Sequence, residues 1–220
     1  MSLPKFISLL SMQKIFLSRV SLFKDSFEGS VTKATRELRP LVYKDIPNEL
    51  INQLSAGYKN ATNYTYANCW HMNSTESEAM WSNYSSIDGA IAIQSTYKNL
   101  ANSLNTDSID EKCYIGKVTY VDETQLVPDG NLLARFMYKK KAFEHEKEVR
   151  LITLDFKPSI LPHEIKDGIY IPINLEVLIH NIYISPYSPQ WYLEIIQEIA
   201  SKYHLTKPIV ISSLSETPCY

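Results

Sequence analysis

The sequence predicts the α+β class: a single domain over residues 1–220, with a curved or split mixed sheet of short strands and flanking helices. Three observations carry this. Apolar residues make up 45% of the chain and aromatics 11%, enough for a sizeable core. Short β-branched and aromatic runs recur between Pro, Gly, Asn and Ser breaks. The helical patterns between them are unequal and do not alternate regularly with the strands, which disfavours a doubly wound parallel sheet.

In chain order, "KFISL" reads as a first strand, "LLSMQ" as a helical turn and "KIFLS" as a second strand. "SLFKDSFEGS" reads as a polar loop whose Phe23 and Phe27 tuck inward, with Asp25 and Glu28 as polar anchors. "IPNELINQLSAGYKN" has Pro47 at its start and apolar residues at helical spacing. "YANCWHMN" is a short strand. "STESEAMWSNY" is a helix opened by Ser74 or Thr75, with acids in its first turn.

"GAIAIQS" follows as a strand and "TYKNLANSL" as a helix. "CYIGKVTYVD", "EVRLITLDF", "DGIYIPINL" and "NIYISPY" alternate as strands do. "QWYLEIIQEIASKYHL" is an amphipathic helix and "PIVISSL" a last strand.

Net charge is −2, so no global basic field draws nucleic acid or an anionic membrane. Lys139, Lys140 and Lys141 are the densest basic run and read as a solvated turn. Cys69, Cys113 and Cys219 lack the spacing of a zinc site or a disulfide framework and read as free thiols of a reducing cytosol. The first residues lack the run and cleavage site of a signal peptide, so the sequons at Asn60, Asn63, Asn73 and Asn83 read as chance. No apolar run reaches membrane-spanning length. A cytoplasmic protein with no membrane partner is the expectation.

There is no Gly-rich phosphate loop, no H-E-x-x-H and no G-x-S-x-G, which argues against P-loop enzymes, zincins and α/β-hydrolases. Two regions remain. In "NCWHMNSTESEAMWSNYSS", His71 ends a strand, and Trp81 and Tyr84 lie three apart on one helix face. They read either as a sandwich for a flat ring or as core at helical spacing. In "KKKAFEHEKEVRLITLDF", Glu144, Glu146 and Glu148 alternate ahead of a strand. Fully extended, the three would share a face and repel. The expectation is therefore a turn ending near Glu144, Glu146 at the strand mouth, and Glu148 buried with Arg150, Arg19 or a backbone N–H as donor. Glu144 is expected in solvent. Spacing alone also fits a salt-bridged strand start.

The stretches "IFLSRVSLFKDSFEGS", "NCWHMN…MWSNYS…GAIAIQS" and "MYKKKAFEHEKEVRLI" together resemble a large prokaryotic family of unknown function often met in phage defence. Its pattern is F-x-D-P-F-E, then C-F/W, then MW-x-x-Y, then F-x-x-E-x-E-x-R. Ser26 stands where that family usually has Pro. The order of parts also resembles ADP-ribosyltransferases: a first strand at Lys5 to Ser8, a Ser-Thr strand at Ser95 and Thr96, and a late E-x-E strand. This chain lacks the usual Arg or His in the first part and a full S-T-S in the second.

The resemblance implies an NAD-using defence or toxin effector. Glu148 would be its catalytic carboxylate and Glu146 the group that orients or deprotonates the acceptor. Trp81 or Tyr84 would stack the ring, and His71, Arg19, Arg150, Glu28 and Asp25 would complete the NAD site. The acceptor (RNA, DNA, protein or nucleotide) stays open. Two other readings stand beside it. One is a metal-dependent enzyme on nucleic acids or nucleotides, using Asp25, Glu28, Glu146 and Glu148. The other is a non-catalytic binding module built on the aromatics.

Overall fold

The computed structural model describes residues 1–84, 89–105, 112–156 and 165–216. Cys219 lies outside them, and Cys69 is a free thiol.

The first element departs from expectation. Leu3–Met12 is a helix, α1, not a strand followed by a turn. Phe6, Leu9 and Leu10 are its buried residues, a helical spacing, and Pro4 sits in its first turn, where a missing N–H costs nothing. Gln13 ends it in the left-handed region at φ 50°. Strand β1 follows (Lys14–Arg19), then a short 3₁₀ turn at Val20–Leu22.

Helix α2 (Lys33–Val42) was not anticipated; Thr32 caps it, accepting from the Thr35 N–H at 3.3 Å. Helix α3 (Asn48–Ala61) starts after Pro47 as read. Strand β2 (Thr65–His71), helix α4 (Glu78–Tyr84), strand β3 (Ile91–Gln94) and helix α5 (Tyr97–Ser103) also follow the sequence reading. The hydroxyl that opens α4 is that of Ser77, not Ser74 or Thr75.

The "CYIGKVTYVD" strand divides into β4 (Cys113–Lys117) and β5 (Thr119–Val121), since Thr119–Val121 leaves the first ladder and pairs in parallel with Tyr138–Lys140. Then come α6 (Leu132–Arg135), β6 (Tyr138–Lys140), a 3₁₀ turn over Lys141–Glu146, and β7 (Glu148–Leu154). The rest is β8 (Gly168–Pro172), α7 (Leu175–Leu178), β9 (Asn181–Ile184), α8 (Gln190–Lys202) and β10 (Ile209–Ile211).

Two compact units result. The first comprises Met1–Phe16, Asn73–Asp110 and Tyr170–Tyr220. Its sheet has the order β10-β9-β3, with β9 parallel to β10 and antiparallel to β3. Phe6, Ile91, Leu100, Leu178, Ile182 and Ile196 are among its buried side chains.

The second unit comprises Leu17–Met72 and Glu111–Ile169. Within it β4, β7, β2 and β1 are neighbours in that order, each pair antiparallel. Its core cluster is Val20, Ala67, Phe136 and Ile152, with Phe23, Leu132, Leu133, Met137 and Leu154 packed against it. The mixture of helices with sheets of short strands is α+β. No helix among the described residues is long and apolar enough to cross a membrane.

Candidate functional site: a buried carboxylate and cation network

β7 and β2 run antiparallel with His71 opposite Glu148, Cys69 opposite Arg150 and Ala67 opposite Ile152. Directly paired residues share a face, so these six side chains lie on one side of the sheet. This is the side of the apolar cluster, and the polar end of that face is the candidate site.

Arg150 is its centre. Its side chain has no exposure, and five N–H donors buried without acceptors would be costly. They are met. Nη1 and Nη2 each donate to Glu28 at 2.7 Å, Nη1 also to the Phe136 carbonyl at 2.8 Å, and Nε to Glu148 Oε2 at 2.5 Å. The fork of two parallel bonds to Glu28 is the geometry that a guanidinium supplies and an ammonium does not.

The loop before α2 is shaped to deliver Glu28. Asp25 accepts from the Phe27 N–H at 2.9 Å, an Asx turn, and the Asp25 carbonyl accepts from the Glu28 N–H at 3.3 Å. Gly29 follows at φ +71°, and a Cβ there would meet the Phe136 ring at 2.6 Å. Phe23 tucks inward as expected. Phe27 does not: it is exposed, and the Lys140 ammonium covers its ring at 3.3 Å.

The three alternating glutamates are not all extended. The Lys141–Glu146 turn ends in left-handed Lys147 at φ 42°, and only Glu148 belongs to β7. Glu144 is exposed, Glu146 half-buried and Glu148 buried. Lys139 overturns the solvated-turn reading. Its side chain is only 7% exposed, and its ammonium donates to Glu146 Oε2 at 2.5 Å and Glu148 Oε1 at 2.9 Å. Glu28 lies 3.7 Å from it, and the Phe143 ring centre 4.7 Å.

These surroundings push the two neighbouring carboxyls apart. Burial alone would raise Glu148, but the charge and hydrogen bond of Arg150, helped by Glu146 and Lys139, bring it down to about 2. Burial and the hydrogen bond with Glu148 push Glu146 up, against the pull of Lys139. Glu148 is thus held ionised, and Glu146 is the member that takes the proton.

His71 closes one end. Its Nδ1 lies 2.6 Å from the Glu146 carbonyl, so Nδ1 carries the hydrogen and Nε2 presents the lone pair when the ring is neutral. The Tyr120 hydroxyl accepts from the Glu148 N–H at 2.8 Å. Sequence reasoning missed Tyr120 and Lys139. Nothing local marks Tyr120; for Lys139 the one available signal is its position seven residues before Glu146, one turn away.

The other expected residues make other contacts. Arg19 pairs with Tyr66, one position out of step with Ala67, so it is on the opposite face of the sheet, bonded to Asp167 at 3.1 Å. Asp25 is spent on its own turn. Trp81 and Tyr84 belong to the first unit. Trp81 is core there, 7% exposed, its indole N–H on Glu76 at 3.0 Å, whereas Tyr84 is 59% exposed. Ser95 donates to the Leu178 carbonyl at 2.6 Å, and Thr96 caps α5 at 3.0 Å.

No family model, no curated protein and no solved structure matches the chain.

Proposed function

We propose that the Glu146–Glu148 pair acts on the N-glycosidic bond of NAD, releasing nicotinamide and passing ADP-ribose to an acceptor, as an ADP-ribosyltransferase-like effector. One observation carries the reading. Two carboxyls share one ammonium, Lys139 Nζ lying 2.5 Å from Glu146 and 2.9 Å from Glu148, and their surroundings drive them in opposite directions, Glu148 down and Glu146 up. Pairs split this way are how one site holds a permanent anion beside a group that exchanges protons.

In this reading Glu148 faces the positive charge that develops on the ribose as nicotinamide leaves. Its negative charge is fixed in a water-poor place before the reaction, where it acts most strongly. Arg150 and Glu28 are positioning residues: they hold Glu148 rigid and ionised without meeting the ligand. Glu146, the more exposed carboxyl, takes the proton of the attacking acceptor hydroxyl or water.

The order of strands lends no weight, since the expected first strand is a helix and the Ser-Thr pair is spent on backbone contacts. Nor does the carboxylate set favour metal chemistry. Glu28 and Glu148 already face the chain's own cations, and among the described residues no group of three or more His, Cys, Asp or Glu is arranged to hold a metal ion.

The test is nicotinamide release from NAD, with adenylate-labelled NAD used to follow transfer to protein, RNA, DNA and nucleotide acceptors. Wild-type protein should release nicotinamide, and Glu146→Gln should slow release by about 100-fold or more. Folded wild-type protein that releases none with every acceptor class present would sink the reading, and the network would then be a structural core.

A further inference from the structure

The network poses a problem of access. Glu148 Oε2 faces Arg150, whose side chain is wholly buried, so a ligand cannot come from that direction. Oε1 is the remaining side, and Lys139 sits on it at 2.9 Å. The same ammonium spans to Glu146 at 2.5 Å, closing the gap between the two carboxyls.

We infer that Lys139 is an internal plug of the Glu146–Glu148 site, and that the site opens only to a ligand whose own positive charge replaces the lysine ammonium. The inference rests on the reading above for the site's location and deepens it by naming what the site selects.

The charge balance makes the argument. Glu28, Glu146 and Glu148 bring three carboxyls, and Arg150 and Lys139 bring two cations. Withdrawing Lys139 leaves Arg150 alone to face them. A neutral ligand taking its place would leave partly buried carboxylate charge uncompensated, which is strongly unfavourable. A cationic ring restores the balance. The Phe143 ring, already 4.7 Å from the ammonium, offers such a ring a face to stack on.

Lys139 is suited to this exchange where Arg150 is not. Its ammonium is a point charge on a flexible stem, held by single hydrogen bonds, whereas Arg150 is locked by a two-bond fork and a backbone carbonyl. The site should therefore prefer an oxidised, positively charged pyridinium to the neutral ring of the same shape.

The experiment compares two probes by calorimetry: 1-methylnicotinamide, which is charged, and nicotinamide, which is neutral. Lys139→Met removes the plug's charge and keeps its bulk. It should bind the charged probe at least tenfold more tightly than wild-type protein does, with no gain for the neutral one. Equal binding of the charged probe to both proteins, no binding to either, or an equal gain for the neutral probe overturns the inference.

If Lys139→Met does not fold, Lys139→Ala refolded with propylammonium takes its place. Recovery of the wild-type melting temperature by the amine is expected, and no recovery also overturns it. Binding is read without turnover. Tight charged-probe binding with no nicotinamide release would therefore sink the catalytic reading and leave the plug standing.

Discussion

Glu28 and Arg150, 122 positions apart in the chain, meet through two hydrogen bonds of 2.7 Å, and the whole site hangs on that contact. The loop residue neutralises the strand residue, and the strand residue then orients Glu148. Glu28→Gln keeps the shape and removes the charge. It should lower unfolding free energy by about 3 kcal/mol, because a buried guanidinium loses its main counter-charge. Urea unfolding measures this. A loss below about 1 kcal/mol would mean that Arg150 does not depend on Glu28.

Gly29 is the hinge that allows this contact. Gly29→Ala would place a methyl group 2.6 Å from the Phe136 ring and force alanine to φ +71°. A cost of about 2 kcal/mol is expected, read as a lowered urea midpoint at unchanged slope. An unchanged midpoint would show that the loop takes another path.

The pH dependence of stability carries a definite sign. Glu148 falls from its ordinary 4.5 to about 2 in the folded protein. Its contribution is therefore complete above 4.5 and is lost as the pH falls from there to about 2. The loss amounts to about 3 kcal/mol. Glu146 has the opposite sign: being raised, it contributes most at low pH, and that contribution fades as the pH rises through its folded value. Thermal melts of wild type and Glu148→Gln across pH 2 to 5 check this, and parallel curves would contradict the assignment. Glu148→Gln also gives up bonds to two cations, so it loses stability at neutral pH as well.

The alternating glutamates should separate cleanly by substitution. Glu144 is exposed, so Glu144→Gln should change stability by less than about 0.5 kcal/mol. It should also leave binding of 1-methylnicotinamide unchanged. Glu146→Gln removes one partner of Lys139 and should alter that binding severalfold. Equal effects of the two substitutions would show that the 3₁₀ turn does not set these side chains apart.

Local signals in the sequence determined most of the elements. Strand patterns marked β7 and β9, "YANCWHMN" read as the short strand β2, Pro47 marked the start of α3, and the repulsion among Glu144, Glu146 and Glu148 was enough to foresee that only the last would enter the strand. Short amphipathic segments were less legible. "KFISL" suits a strand, yet Phe6, Leu9 and Leu10 all find a buried place only on a helix. The partners in the site were decided by tertiary structure alone. An E-x-E-x-R run looks the same whether its charges face water or each other. Register put His71 and Cys69 beside Glu148 and Arg150, set Arg19 on the far face, and buried Trp81 in another core. Charges interact according to distance and burial, and neither quantity is written in the order of residues along the chain.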